Sequence, residues 1–219
     1  STELMLEAER AGKPWGSIMP ITTHVVRRVV EADNLPVAGR AAGAYTTEYT
    51  YRDPLFDGRQ REFRGFRETT VRKSGDAEAP PVSTRSRFLL GECVDESDDG
   101  VADCEAPGRF KDNPREALKG QPVLEETFDD QGTYLSTVHR TYRLRTLYTG
   151  LDGRLVRHAF ARVTDSYLYD TAPFTPASGS TSLPEIEVEG GTTTSASVDL
   201  RSASGRAHTR AESEMDRYG

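Results

Sequence analysis

The sequence predicts an all-β protein of antiparallel strands and long hairpins, with one short helix and one inserted acidic loop. Runs of β-formers alternate with short stretches that contain Gly, Pro, Asp or Asn, as strands and turns do. Hydrophobic residues make up 35% of the 219-residue chain and charged residues 29%, so many strands must keep a polar face. This balance is typical of a sheet with two differently solvated faces rather than of a compact enzyme.

Composition also limits the partners. The net charge of −7 and the isoelectric point near 5.2 argue against nucleic-acid binding, which needs a basic surface. No run approaches the roughly 20 apolar residues that cross a bilayer, and no signal segment opens the sequence. Both ends of the chain look like the interior of longer motifs, so we expect a fragment of a larger polypeptide.

The strands are predicted from runs of β-formers between turn residues. They are Ile21–Glu31, Ala44–Tyr51, Arg61–Val71, Val82–Leu90, Val123–Phe128, Tyr134–Tyr148, Arg154–Tyr169, Thr192–Leu200 and Ala207–Met215. Residues 1–12 form a lead-in that is either helical or irregular, and 171–191 is a break rich in Pro, Ser, Thr and Gly. A helical turn is predicted between Asn113 and Gly120, with Asn113 as its cap and Pro114 at its first position.

The stretch from Tyr49 to Phe66 is predicted to be a twisted hairpin. Its turn is built from Asp53-Pro54 and Asp57-Gly58, where proline fixes φ and glycine accepts a positive φ. Gly65 lies between aromatic residues inside a strand, which indicates a bulge or a close backbone approach. Arg and Glu side chains are expected on the wet face. The residues of this structural motif are Asp57, Gly58, Phe63, Arg64, Gly65 and Phe66.

The long strand Tyr134–Tyr148 is predicted to pack one face against the protein and to expose the other to solvent. The packed face contains Val138, Tyr142, Leu144 and Tyr148. The wet face contains His139, Thr141, Arg143 and Arg145.

An acidic loop between the two cysteines has the spacing of a calcium site. Alternating acidic residues followed by Gly100 let a tight loop point oxygen ligands at a hard cation. The candidate ligands are Asp95, Ser97, Asp99 and Asp103. Ala106 stands where an EF-hand has its bidentate Glu, so a solvated acidic insertion without metal remains the alternative.

Cys93 and Cys104 are the only cysteines and bracket this loop. In an exported protein we expect them to form a disulfide that stabilises the loop by about 2–3 kcal/mol. In a reducing cytosol they would stay free. No neighbouring basic group favours a reactive thiolate, and no Cys or His pair has zinc-ligand spacing.

Nothing in the sequence selects a catalytic site. The four histidines are scattered over predicted strands, where histidine is usually a surface or hydrogen-bonded residue. No GxSxG, HExxH, P-loop or GxGxxG motif occurs in a suitable context. The sequence therefore predicts a non-catalytic protein.

The hairpin sequence YTYRDPLFDGRQREFRGF resembles a signature segment of the insecticidal toxin-complex (Tc) B component and of Salmonella virulence plasmid protein B-like proteins, in the Rhs/YD-repeat group. Further similar segments follow in the family's order and extend the resemblance from about residue 10 to 170. They are Gly12–Trp15, Met19–Ile21, His24–Val26, Pro80–Arg85, Ala117–Gln121, Glu125, Tyr142–Arg145 and Asp165–Tyr169.

This resemblance implies part of a hollow Rhs-type β-shell, or cocoon, that encloses a toxic C-terminal polypeptide and keeps it unfolded. It implies a secreted protein whose partners are the rest of the shell, that cargo and an A-component translocation pore. Shell strands including the FRGF hairpin would occupy 1–90, the Cys-bracketed insertion 91–112, the short helix and long strands 113–170, and a Ser/Thr/Gly-rich insertion with further strands 171–219.

A second hypothesis is a calcium-dependent extracellular adhesion or carbohydrate-binding β-domain. The Asp95–Asp103 loop, the Thr/Ser-rich tail and the aromatic strands favour it. Removing calcium should abolish ligand binding in that protein, whereas in a shell segment it should loosen only one peripheral loop.

Overall fold

The structure is a computed structural model of the whole chain, and it describes the main body of the sheet. The described residues are 1–17, 19–33, 43–58, 60–75, 79–93, 113, 115–151, 153, 155–169, 181–188, 193–198, 200 and 206–216.

One helix, ten strands and one 3₁₀ turn make up the described elements, and the all-β prediction is confirmed. Helix α1 spans Thr2–Arg10, and the 3₁₀ turn spans Glu116–Leu118. The strands are β1 Arg28–Ala32, β2 Ala44–Asp57, β3 Glu62–Lys73, β4 Val82–Leu89, β5 Gln121–Asp129, β6 Tyr134–Thr149, β7 Leu155–Tyr169, β8 Thr181–Val188, β9 Thr193–Val198 and β10 Arg206–Glu212.

The strands form one sheet whose path runs β1-β2-β3-β4-β5-β6-β7-β10, with every pair along it antiparallel. Strand β8 leaves this path. It pairs in parallel with β6 over Tyr142–Leu144 and antiparallel with β9. The sheet is therefore a meander with a second hairpin, β8–β9, attached beside its middle strand.

The first hairpin turns later than predicted. Strand β2 continues through Asp53 and Pro54, and the chain reverses only after Asp57. The positive φ predicted for Gly58 belongs instead to Arg61, at 54°. Proline fits because β1 pairs with β2 only as far as Glu48, so no described strand pairs with that edge of β2 at Pro54.

Strand β8 contradicts the predicted break at 171–191. Its Ser and Pro residues give it a low strand propensity, so the local sequence does not predict a strand there. Pro184 lies at a register shift within β8. Burial of Ile186 and backbone pairing with β6 stabilise the strand in place of local propensity. The first predicted strand is also shorter than expected: β1 begins at Arg28, and all of its residues are exposed.

The helical turn predicted near residue 116 is present as the 3₁₀ turn. The backbone N–H of Arg115 donates to Asn113 Oδ1 at 2.9 Å. Gly120 follows with φ +79°, and its N–H donates to the carbonyl of Leu89 at 2.8 Å. Because of this bond, the turn is fixed to the end of β4.

Two apolar clusters form the core of the described residues. The first consists of Val123, Leu124, Tyr134, Tyr167, Tyr169, Val198 and Leu200. The second consists of Leu118, Tyr142, Leu144 and Ile186. Both clusters join the meander to the chain that follows β7, so the attached hairpin shares the core of the sheet.

The two faces of β6 differ from the prediction. Thr137, His139 and Thr141 are fully buried, although His139 and Thr141 were assigned to the wet face. A bulge between Thr141 and Tyr142 then shifts burial to Tyr142 and Leu144. Tyr148, predicted to pack, is exposed near the hairpin tip. The bulge shifts the alternation of buried and exposed side chains along β6, and the attached hairpin adds contacts there. Simple alternation along β6 predicts neither feature, so the assignment of the two faces was wrong.

Candidate functional site around Arg64

The hairpin signature builds a bulge at its centre. Leu55 pairs with Gly65 and Phe56 with Phe63, so Arg64 is the extra residue of β3. Gly65 has φ +115°, a conformation that other residues rarely adopt. The irregularity predicted at Gly65 is therefore present, and it turns the Arg64 side chain inward.

The guanidinium of Arg64 is buried, which corrects its prediction on the wet face. One terminal nitrogen lies 2.9 Å from Asp57 Oδ2 and 2.8 Å from Glu116 Oε2. Its Nε donates to Asp57 at 3.0 Å, and the other terminal nitrogen donates to the carbonyl of Gly91 at 3.0 Å. Because Asp57, Gly91 and Glu116 come from three separate segments, one side chain joins them all.

Electrostatics keep Arg64 charged in this position. Burial works against the charged form, but hydrogen bonding and charge from Glu116, together with Asp57, outweigh it and raise the pKa above its ordinary value. A buried charge is tolerated only when it is paired and hydrogen-bonded, as it is here.

The groups around Arg64 are themselves held in place. Asn113 Nδ2 donates to the same Gly91 carbonyl at 2.8 Å. Lys119 Nζ lies 2.8 Å from Glu62 and 3.3 Å from Glu116. Gly91 has φ +64°, and a Cβ there would come within 3.1 Å of the Arg64 guanidinium. We call the set of Asp57, Arg64, Gly91, Asn113, Glu116 and Lys119 the Arg64 junction.

An aromatic cluster adjoins this junction. Phe66 contacts Trp15, Tyr51 and Phe63, with ring centroids 6.0, 4.9 and 5.3 Å away. Trp15 thus packs against the hairpin through its edge-to-face contact with Phe66. The segment around it is tied to β2, because Arg52 donates to the carbonyls of Lys13 and Pro14 at 3.2 and 3.1 Å.

The Arg64 junction is suited to positioning rather than to chemistry. Its cation is enclosed by carboxylates and carbonyls of the same chain: Nε and one terminal nitrogen donate hydrogen bonds, and the other terminal nitrogen is held by ion pairs with Asp57 and Glu116. The arrangement locks the hairpin, the end of β4 and the 3₁₀ turn into one unit.

A second polar group is buried at His139 on β6. Its ring is 0% exposed, and neither ring nitrogen has a hydrogen-bond partner. Burial and the neighbouring Arg87 lower the pKa of His139 to about 4, against a smaller opposite effect of Asp165. Nearby, the Thr141 hydroxyl donates to the carbonyl of Pro184 at 2.7 Å, so β8 is tied to this part of β6.

Asp165 opposes His139 in the β6–β7 register and organises the next strand. Its buried carboxylate lies 2.8 Å from His208 Nε2 and 3.2 Å from Arg210 Nε. The His208 ring stacks on Tyr167 at 4.5 Å. Sequence reasoning did not connect these residues, because they become neighbours only when β10 pairs with β7.

The predicted calcium ligands and one of the two cysteines fall outside the described residues. These are Asp95, Ser97, Asp99, Asp103 and Cys104. Within the described ranges, no group of three or more His, Cys, Asp or Glu residues could hold a metal ion. Cys93 is not a free thiol. Since Cys104 is not described, the disulfide between them and the calcium site both stay predictions.

Across the parts of the chain that are described, no helix is long and apolar enough to span a membrane.

The fold and the Arg64 junction together describe an antiparallel β-sheet protein. A protein family described as the insecticide toxin TcdB middle/N-terminal region matches residues 1–89. The predicted resemblance to the Tc toxin B component is thereby confirmed. The comparison with curated proteins gave no match.

Two crystal structures share the fold. TcdB2-TccC3 is 17% identical over 81% of this chain and 10% of the solved chain, with a TM-score of 0.57. TcdB2-TccC3-Cdc42 is 18% identical over 76% and 9%, with the same TM-score. At these identities the likeness concerns the fold alone, and this chain spans about a tenth of the length of the solved chains.

Proposed function

We propose that this chain is a non-catalytic wall segment of a secreted Tc-type toxin component, whose hollow β-shell encloses a toxic C-terminal polypeptide and helps to deliver it. The observation that carries the proposal is the long antiparallel meander, to which eight strands contribute in nearly sequential order. Such a ribbon can extend and curve without forming the closed core of a compact domain.

The polar character of the sheet supports a wall between two wet compartments. Opposite partners in register form a transverse row across seven strands, in which basic and acidic side chains alternate at both ends and an apolar residue and a neutral histidine lie between them. The row is Arg52, Glu68, Arg87, Leu124, His139, Asp165 and Arg210. Opposite charges on neighbouring strands stabilise a sheet without requiring an apolar layer over all of it.

The proposed partners follow from the family and from the fold. The similar crystal structures contain TcdB2 together with TccC3, so we propose that a TccC-like polypeptide completes the shell and carries the cargo. An A-type translocation pore remains a predicted partner. The acidic loop would be a peripheral insertion, closed by the Cys93–Cys104 disulfide in an oxidising compartment and able to take calcium.

A cryo-EM map of the full-length parent protein with its downstream partner tests this function. We expect a hollow shell with weak internal density and with strands β1–β10 in its wall. A compact solid domain that contains these strands would contradict the proposal. Calcium chelation provides a second measurement, and it should leave the shell intact while increasing proteolysis only between residues 93 and 113.

A further inference from the structure

A groove of about 640 Å³ opens where β6, β7, the end of β8 and the segment Ser213–Asp216 meet. Three arginines, Arg143, Arg145 and Arg162, line it together with Phe160 and Val188. The groove lies away from the Arg64 junction, on the opposite part of the sheet path.

The arginines have more donors than the surrounding residues have acceptors. Each guanidinium carries five N–H groups. Arg143 directs two nitrogens at Glu187 Oε2, at 3.2 and 3.0 Å. Arg162 donates to Glu214 Oε1 at 3.2 Å, whereas its buried Nε has no hydrogen-bond partner and lies 3.6 Å from Glu187. Among the described residues, Arg143 and Arg162 therefore have more N–H groups than acceptors, which favours an additional oxyanion.

Charge favours the same kind of ligand. Glu187 and Glu214 are the two carboxylates among the described lining residues, and they face three guanidinium groups. One positive charge is left in excess within a concave surface, where it is only partly screened by water.

The segment Ser213–Asp216 of the same chain already lies along the groove as an extended peptide. Beyond β10, the N–H of Ser213 donates to the carbonyl of Arg162 at 2.8 Å, and Glu214 follows beside Arg143 and Arg162. Arg145 donates to the carbonyls of Met215 and Asp216. Glu214 is nevertheless 72% exposed, so its carboxylate is held at the rim and does not fill the groove.

We propose that this arginine groove binds an acidic side chain of an extended polypeptide, with Glu214 as the intramolecular occupant that an incoming carboxylate replaces. The guanidinium groups bind the carboxylate, Arg145 binds backbone carbonyls, and Phe160 and Val188 contact an apolar neighbour of the acidic residue. This binding does not depend on the shell function, because it uses only contacts within one chain.

The test uses the full chain and a fluorescein-labelled, end-blocked peptide that copies Ala211–Asp216, with a control peptide in which every acidic residue is replaced by its amide. Fluorescence anisotropy should show binding of the acidic peptide only. Glu214→Gln should tighten binding several-fold, because the competing carboxylate is lost. Arg162→Gln should weaken it about tenfold, as expected for a charge-assisted contact.

Arg27→Gln is the matched control, since Arg27 is an ion-paired arginine outside the groove. It should leave peptide affinity unchanged. If Arg162→Gln alters the circular dichroism spectrum, Arg145→Gln replaces it as the test variant. Equal binding of both peptides, no binding even to Glu214→Gln, or full displacement by inorganic phosphate at constant ionic strength would each overturn the proposal.

Discussion

At the scale of single residues, Arg64 shows how one side chain can organise a region that has little apolar core of its own. Its partners Asp57 and Glu116 are less buried than the guanidinium, so the cation is shielded from solvent while both carboxylates are partly exposed. Desolvation of the cation is offset by two carboxylates and a carbonyl. The junction therefore serves mainly to hold its segments in place. Replacing an acidic partner would leave the buried Arg64 charge without compensation.

Arg64→Met should lower the free energy of unfolding by about 1–2 kcal/mol, because three segments lose their shared partner while the partly exposed Asp57 and Glu116 can be solvated by water. Arg64→Lys keeps the charge but loses the forked geometry, and it should cost less. Urea titration of the full chain, followed by circular dichroism, measures both effects.

Arg67→Gln is the matched control, because Arg67 lies on the same strand in a half-exposed pair with Glu92. It should change stability by less than about 1 kcal/mol. Equal losses for the Arg64 and Arg67 variants would show that burial of Arg64 has no special role.

At the scale of elements, the β8–β9 hairpin decides which face of β6 is dry. Thr141 donates to Pro184 of β8, and Arg87 of β4 pairs with Glu185. These contacts tie β8 to β6 and β4, and His139 is fully buried on the same part of β6. The covered ring must stay neutral, because no hydrogen-bond partner compensates a proton on it.

The neutral state of His139 predicts acid sensitivity. Its pKa in the folded chain is about 4, below the value of about 6.5 in an unfolded chain, so the unfolded state binds more protons between these values. Stability should therefore fall as the pH drops from about 6.5 through about 4, with a total loss of up to about 3 kcal/mol. Urea midpoints at several pH values measure this slope.

His139→Leu should flatten the slope, because leucine cannot be protonated and leaves no unpaired ring nitrogen. His24→Gln serves as the control at an exposed histidine and should keep the slope of the unmodified chain. If His139→Leu retains the full slope, other groups cause the acid sensitivity.

At the scale of the whole molecule, the sheet is extended along its strand order, and its path ends at β1 and β10. All five residues of β1 are exposed, and within the described residues its outer edge has no pairing strand. An exposed edge with valine side chains can pair with another chain. In the proposed shell, a further strand of the parent polypeptide would cover this edge.

The isolated 219-residue chain should therefore self-associate through β1, and Val30→Lys should reduce that association, because a lysine on an edge strand opposes pairing. Size-exclusion chromatography with light scattering over a range of concentrations measures it. Val26→Lys is the control: both valines are 55% exposed, but Val26 lies before the strand. A chain that stays monomeric, or equal effects of the two variants, would contradict this prediction.

Local sequence was sufficient for most of the meander. Strands β3 to β7 were predicted within about two residues of their observed bounds, because β-formers are concentrated between glycine-containing turns, whereas β2 begins as predicted but continues past Tyr51 to Asp57. The bulge at Gly65 could also be read from one glycine between aromatic residues. The acidic loop and its cysteine pair remain predictions, since all but Cys93 lie outside the described residues.

The sequence by itself determined the all-β class, the hairpin signature and the resemblance to the Tc toxin B component, since these rest on residues close together in the chain. Only the tertiary structure decided strand β8, the dry face of β6 and the burial of Arg64 and His139. The physical reason is that each depends on distant segments: Arg64 is buried because Gly91 and Glu116 enclose it, and β8 forms because it pairs with β6. Alternation along one strand carries no information about what will cover it.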